Sequence, residues 1–136
     1  MENKILVAYA SKYGSTQEVA EAVATKLCEK GLVIDLQPMR RVHLLAGYGA
    51  VVLGAPIYYG SWHQDARNFL TKHASVLPQR PVMVFALGPT GTGEDERRDS
   101  RSQLDKDLAK YPWLKPVDTV LFGGRFPARL RFPDNL

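Results

Sequence analysis

Two hydrophobic patterns alternate along the chain. Short runs rich in β-branched and aliphatic residues mark strands, and longer stretches with apolar residues three or four apart mark helices. Ile5-Leu6-Val7-Ala8-Tyr9 is nearly continuous in apolar character, as a strand buried on both faces of a parallel sheet must be. From Thr16 to Lys30, Val19, Val23 and Leu27 fall on one stripe with Ala20, Ala24 and Cys28 beside it, while Glu18, Glu21, Lys26 and Glu29 face elsewhere. The pattern predicts a helix, which Gly31 ends. Val33 to Leu36 reads as a shorter strand, and Asp35 inside it suits a position near a sheet edge. Val42 to Tyr48 has a weak helical period, and Ala50 to Ala55 is a buried strand before Pro56. Gln64 to His73 is a short amphipathic helix built on Ala66, Phe69 and Leu70, and Pro81 to Leu87 supplies a fourth strand. Asp95 to Tyr111 is charged, with Leu104, Leu108 and Ala109 as its main apolar positions, and predicts a mostly exposed helix. Val117 to Phe122 is the fifth strand.

Strands that alternate with helices make a parallel sheet with right-handed crossovers, so an α/β, doubly wound, five-stranded sheet is expected. The 136 residues, 45% of them hydrophobic, suit one domain spanning residues 1–136. Repeats, low-complexity tracts and linkers do not interrupt it. The Pro-containing tail from Arg125 to Leu136 is not helical in pattern, so the sheet is expected to lack its last helix. Apolar surface near strands one and five then needs a cover: the chain is cut short there, or a partner, a second copy included, closes the gap.

Composition narrows the class. Cys28, the one cysteine, forms no internal disulfide and is expected to be a buried, inert thiol, and His43, His63 and His73 lack the spacing of a metal site. That usage suits a reducing cytoplasm. The longest apolar stretches fall well short of the roughly 20 residues needed to span a bilayer, and no signal-peptide pattern opens the chain. The net charge of +4 and pI of 9.3 are compatible with an anionic ligand or partner. They do not imply nucleic-acid binding, because acidic residues interrupt the Arg97, Arg98, Arg101 group and no binding motif accompanies the arginines.

Candidate chemistry lies in three loops after strands. The first, Ser11-Lys12-Tyr13-Gly14-Ser15-Thr16, opens directly into the first helix. Unpaired backbone N–H groups at a helix N-terminus, with the helix dipole, form an anion site, and hydroxyls of Ser11, Ser15 and Thr16 add donors around Gly14. The competing reading is a plain capping box, Ser15 with Glu18. Neither the three spaced glycines of a dinucleotide fingerprint nor the Gly-Lys-Ser/Thr of a Walker loop is present. The second loop, Pro56-Ile57-Tyr58-Tyr59-Gly60-Ser61-Trp62, gathers aromatic rings around a glycine, which suits stacking on a flat ring; the competing reading is that Tyr59 and Trp62 cover core. The third, Gly88-Pro89-Thr90-Gly91-Thr92-Gly93, permits close backbone approach to a flat ligand or is simply a turn. All three sit where open α/β sheets bind ligands, at the carboxyl ends of strands. His63, just beyond the second loop, is a candidate donor or a first-turn helix residue.

The first loop resembles the phosphate loop of flavodoxins, with Ser11, Tyr13, Gly14, Ser15 and Thr16 in matching positions, although Tyr13 stands where many members carry a small hydroxyl residue. Across nearly the whole chain, Ala10 to Thr16, Gly54 to Gly60 and the closing Phe122-Gly123-Gly124-Arg125 with Leu130-Arg131-Phe132 resemble the branch of flavodoxin-domain proteins that includes the menaquinone-dependent protoporphyrinogen oxidases. The resemblance implies a flavodoxin-like fold with FMN as cofactor, its phosphate in the first loop, its ring against the second and third, and a Gly60-Ser61 peptide at flavin N5. The inserted loop of porphyrin-oxidising members has no counterpart here, so the substrate stays open. The expected function is that of an FMN-binding redox protein, electron carrier or oxidoreductase, with no side-chain acid or base required. A redox partner protein, a quinone or a small-molecule substrate would exchange electrons with it. A non-redox binding module and an NAD(P)H-dependent quinone reductase of the same fold are the alternatives.

Overall fold

The computed structural model describes residues 4–11, 14–58, 61–88 and 94–122. The strands are β1 (Lys4–Tyr9), β2 (Val33–Pro38), β3 (Tyr48–Tyr58), β4 (Ser61–Trp62), β5 (Val82–Leu87) and β6 (Asp118–Phe122). Three helices join them: α1 (Ser15–Glu29), α2 (Gln64–Lys72) and α3 (Glu94–Leu108). The parallel strands run in the order β2-β1-β3-β5-β6, the flavodoxin-like doubly wound arrangement, and β4 lies antiparallel on β3. Among the described residues, no helix is long and apolar enough to cross a membrane.

Side chains alternate across each strand, so one continuous apolar run fills two layers. Leu6 and Ala8 of β1, with Val51, Leu53 and Ala55 of β3, pack toward Ala66, Phe69 and Leu70 of α2 and Leu104 of α3. Ile5, Val7, Val52 and Phe85 face the other way, onto Val19, Ala20, Val23 and Leu27 of α1. Full burial of a side chain the size of Val23 or Leu27 contributes roughly 1.5–3 kcal/mol, so the stripe foreseen in the sequence is what docks α1. Cys28 lies just off that stripe and is exposed, not the buried thiol expected.

Edge position explains Asp35. It sits in outer strand β2, where its carboxylate accepts hydrogen bonds from the Tyr48 hydroxyl and from Gln37 Nε2 at 2.8 Å. Burial first, then the bond to Asp35 and its charge, pushes the Tyr48 hydroxyl up to about 12.

The helix expected at Val42–Tyr48 is absent. A single 3-10 turn, Met39–Arg41, is followed by extended chain, and Gly47 turns at φ 91° into β3. Val42 and Leu45 are both buried while Leu44 is exposed, so the three-residue spacing recorded burial correctly without helical hydrogen bonding. Strand β3 is longer than Ala50–Ala55 because its two ends pair with different neighbours, Tyr48 with β1 and Ile57 and Tyr58 with β4.

Gly54 lies opposite Phe85 in the β3–β5 register, and the Phe85 ring fills the space that a Cβ at position 54 would occupy. Gly54→Ala is therefore expected to lower unfolding free energy by about 1–3 kcal/mol through overpacking. Urea denaturation checks this, and adding Phe85→Leu should recover part of the loss.

His73 supplies a second prediction. Its side chain is 5% exposed, stacks on Phe69 at 4.4 Å, and leaves Nε2 buried without a hydrogen bond. Burial first, then the charge of Lys72, holds its pKa below the ordinary 6.5. As pH falls the unfolded chain takes up this proton before the folded one, so the stability tied to neutral His73 is present above about pH 6.5 and is lost below it. The stability advantage of wild type over His73→Leu should shrink between pH 7.5 and 5.5 in denaturant titrations, those two values being about one unit either side of the reference pKa.

Candidate functional site

The carboxyl ends of β1, β3 and β5 lie side by side at one edge of the sheet. The Ala10 N–H donates to the Gly54 carbonyl at 2.9 Å, which ties the start of the first loop to β3. Ser11 Oγ then accepts from the Gly14 N–H at 2.8 Å, leaving the hydroxyl proton to donate elsewhere. Gly14, at φ 87°, occupies the cap position of α1, and its carbonyl accepts the Glu18 N–H at 3.1 Å.

This geometry does not fit a capping box. A capping box needs a hydroxyl at the cap position, and Gly14 has no side chain to offer the first-turn amides, while Ser15 is already inside the helix. Among the described residues no side-chain cap hydrogen bond meets the first-turn amides, which lie at the positive end of the helix dipole. Thr16 is buried beneath the turn.

A cleft of about 290 Å³ opens beside it, lined by Tyr9, Ser11, Gly14 and Gln17 on one side and by Met39, Arg40 and Asp65 on the other. Arg40 Nε lies 3.6 Å from Asp65 Oδ2, but the arginine side chain is 83% exposed. An exposed pair of this kind contributes at most about 1 kcal/mol, so Arg40 remains free to turn toward an anion. Among the described residues no group of three His, Cys, Asp or Glu could hold a metal ion.

The second loop is a hairpin. Ile57 pairs with Trp62 and Tyr58 with Ser61. Trp62 is 1% exposed, and its ring belongs to the layer under α2 and α3, with Nε1 donating to the Ala55 carbonyl at 3.0 Å. The ring is thus core and not a stacking face for a flat ligand: its one polar atom is satisfied inside, where its apolar area is also buried. Pro56 is buried and its carbonyl accepts the His63 N–H at 2.9 Å, while Ile57 packs partly against the same layer. His63 caps α2, its Nδ1 accepting from the Asp65 N–H at 3.0 Å. At the third loop, the Gly88 N–H donates to the Phe122 carbonyl at 2.8 Å, so that amide serves the sheet and is not offered to a ligand. Ser15 and Ser61 are placed by their backbone, and Lys12, Tyr13, Tyr59, Gly60, Pro89, Thr90, Gly91 and Gly93 lie outside the described residues.

Two features escaped the sequence reading. Arg40 and Asp65 meet only through tertiary packing of the 3-10 turn on α2. Asp107, 4% exposed, accepts the Trp62 N–H at 2.6 Å. Its signal was present: three residues after Leu104 and beside Leu108, it is a carboxylate on the buried stripe of α3.

A flavodoxin domain family model matches residues 6–132. The chain is 29% identical over 136 residues to a protoporphyrinogen IX dehydrogenase [quinone] of Escherichia coli, covering 97% of this chain and 75% of that protein. It is 25% identical to a protein of the same name from Leishmania major, covering 98% of this chain and 59% of the relative. Oxidised flavodoxin 2 from Bacillus cereus shares the fold with a TM-score of 0.63 at 22% identity, over 91% of this chain and 88% of that one.

Nothing lies within 4 Å of a Cβ built at Gly14, so Gly14→Ala probes the left-handed backbone alone. It should cost about 1–2 kcal/mol, measurable as a lowered urea midpoint, with the rest of the fold unchanged by circular dichroism.

Proposed function

The chain belongs to the flavodoxin domain family, and from that premise we propose that it binds FMN at the carboxyl edge of its sheet and works as a redox protein. The observation that carries this reading is the uncapped start of α1: Gly14 in the cap position, Ser11 Oγ holding the Gly14 amide, and an open cleft beside them. A phosphate is the group such a turn suits, since it meets several N–H and O–H donors at once and the positive end of a helix. Ser11, Gly14, Ser15 and Thr16, with Lys12 and Tyr13, would hold it. Residues 56–61 and 88–93, at the ends of β3 and β5, would flank the ring and keep water from it.

FMN, when bound, supplies the electron-transfer chemistry, and the protein's own residues bind, orient and shield it. Relatives named for protoporphyrinogen IX and quinone support an oxidoreductase reading with a quinone as electron acceptor. The net charge of +4 favours an anionic substrate or an acidic partner. The lone Cys28, with no disulfide to protect, fits a cytoplasmic setting.

Purified protein, reconstituted with FMN, should absorb in the blue and quench flavin fluorescence on binding. Riboflavin, which lacks the phosphate, should bind at least about 100-fold more weakly, because two or more charge-assisted bonds are lost. A colourless protein that takes up no FMN, or one that binds both flavins equally, would sink the reading. Reduction by NADPH in stopped flow would reassign the protein as a nicotinamide-dependent reductase.

A further inference from the structure

The geometry points to Asp107 as a positioning residue for strand β4, acting on the cofactor through the Trp62 backbone. This inference rests on the FMN reading. Strand β4 is two residues long, and a ladder that short does not hold itself in water. Its outward side, which a third strand would normally pair, is closed instead by side chains. The Trp62 N–H donates to Asp107 Oδ2 at 2.6 Å, and the Trp62 carbonyl accepts from Arg67 Nε at 3.0 Å. The Trp62 indole and the His63 amide hold the inner side through the Ala55 and Pro56 carbonyls.

Asp107 is the unusual member of this set. It occupies a position on α3 between Leu104 and Leu108 where an aliphatic side chain would add core contact without desolvating a charge. Its carboxylate is buried, its Oδ1 meets the Lys110 ammonium at 3.3 Å, and Oδ2 reaches away from its own helix to a single backbone amide. That amide belongs to the second residue of β4, which pairs with Ile57 near the carboxyl end of β3, so α3 fixes β4 against that end of the sheet. No acid–base step is involved; the carboxylate holds a hydrogen bond, and the hydrogen bond holds β4.

Hydrogen exchange at the Trp62 amide and FMN titration of the full-length chain test this together. Asp107→Leu removes the acceptor while filling the core. It should speed Trp62 amide exchange and weaken FMN binding, each by about tenfold or more, as expected for loss of a bond to a charged acceptor, and it should shift the midpoint potential of the bound flavin. Asp107→Asn keeps an acceptor and should stay within about threefold of wild type, since only the charge-assisted part of the bond is lost. Lys110→Ala should change neither readout. Leu45→Ala, which opens a cavity near the opposite end of β3, should lower global stability yet leave Trp62 exchange, FMN affinity and potential alone. Wild-type values in Asp107→Leu, or the same losses in Leu45→Ala, overturn the inference, as does rapid Trp62 exchange in the wild type if no Asp107 variant folds. If FMN binds and Asp107→Leu behaves as wild type, only this inference falls; if the wild type takes up no FMN, the functional reading falls and takes it along.

Discussion

The parallel register of β1 between β2 and β3 is the constraint on which the rest depends. Leu6 faces Asp35 on one side and Val51 on the other, and the same pairing continues to Tyr9, Pro38 and Gly54. Because the strands run in one direction, every carboxyl end reaches the same edge, and every crossover must return over a face. Both faces are thereby covered, and the carboxyl ends of β1, β3 and β5 come to lie side by side. The Ala10–Gly54 hydrogen bond extends this register past the end of β1 and ties the start of the first loop to β3.

Within that frame, polar groups are placed by what they satisfy. Asp35 tolerates an edge strand because Tyr48 and Gln37 donate to it, and Asp107 tolerates the interior because Trp62 and Lys110 do. Buried groups lacking such partners are rare, and His73 Nε2 is the one such side-chain atom found among the described residues. Among the described residues, the first turn of α1 has no side-chain cap where many helices carry a serine or an aspartate. A helix start without a side-chain cap at the carboxyl edge of a doubly wound sheet is the form on which the proposed phosphate site rests.

Membership of the flavodoxin domain family, together with relatives named as quinone-linked dehydrogenases, agrees with that form. The chain's basic charge sets it apart from a surface built to meet basic partners, and Arg40 beside the cleft concentrates part of that charge near the proposed phosphate.

Most element types and their order were legible in the sequence because they rest on local properties: the two-residue and three-to-four-residue hydrophobic periods. The period failed at Val42–Tyr48, where burial without helical bonding produces the same spacing. Composition could not decide whether Trp62 stacks on a ligand or fills the core, whether Cys28 is covered, or whether Gly88 has an amide to spare. Those outcomes belong to tertiary structure, since each depends on a group distant in sequence: Ala55 and Asp107 for Trp62, the orientation of α1 for Cys28, and the Phe122 carbonyl for Gly88. Local pattern determines what each segment becomes, and only packing decides which of its atoms remain available.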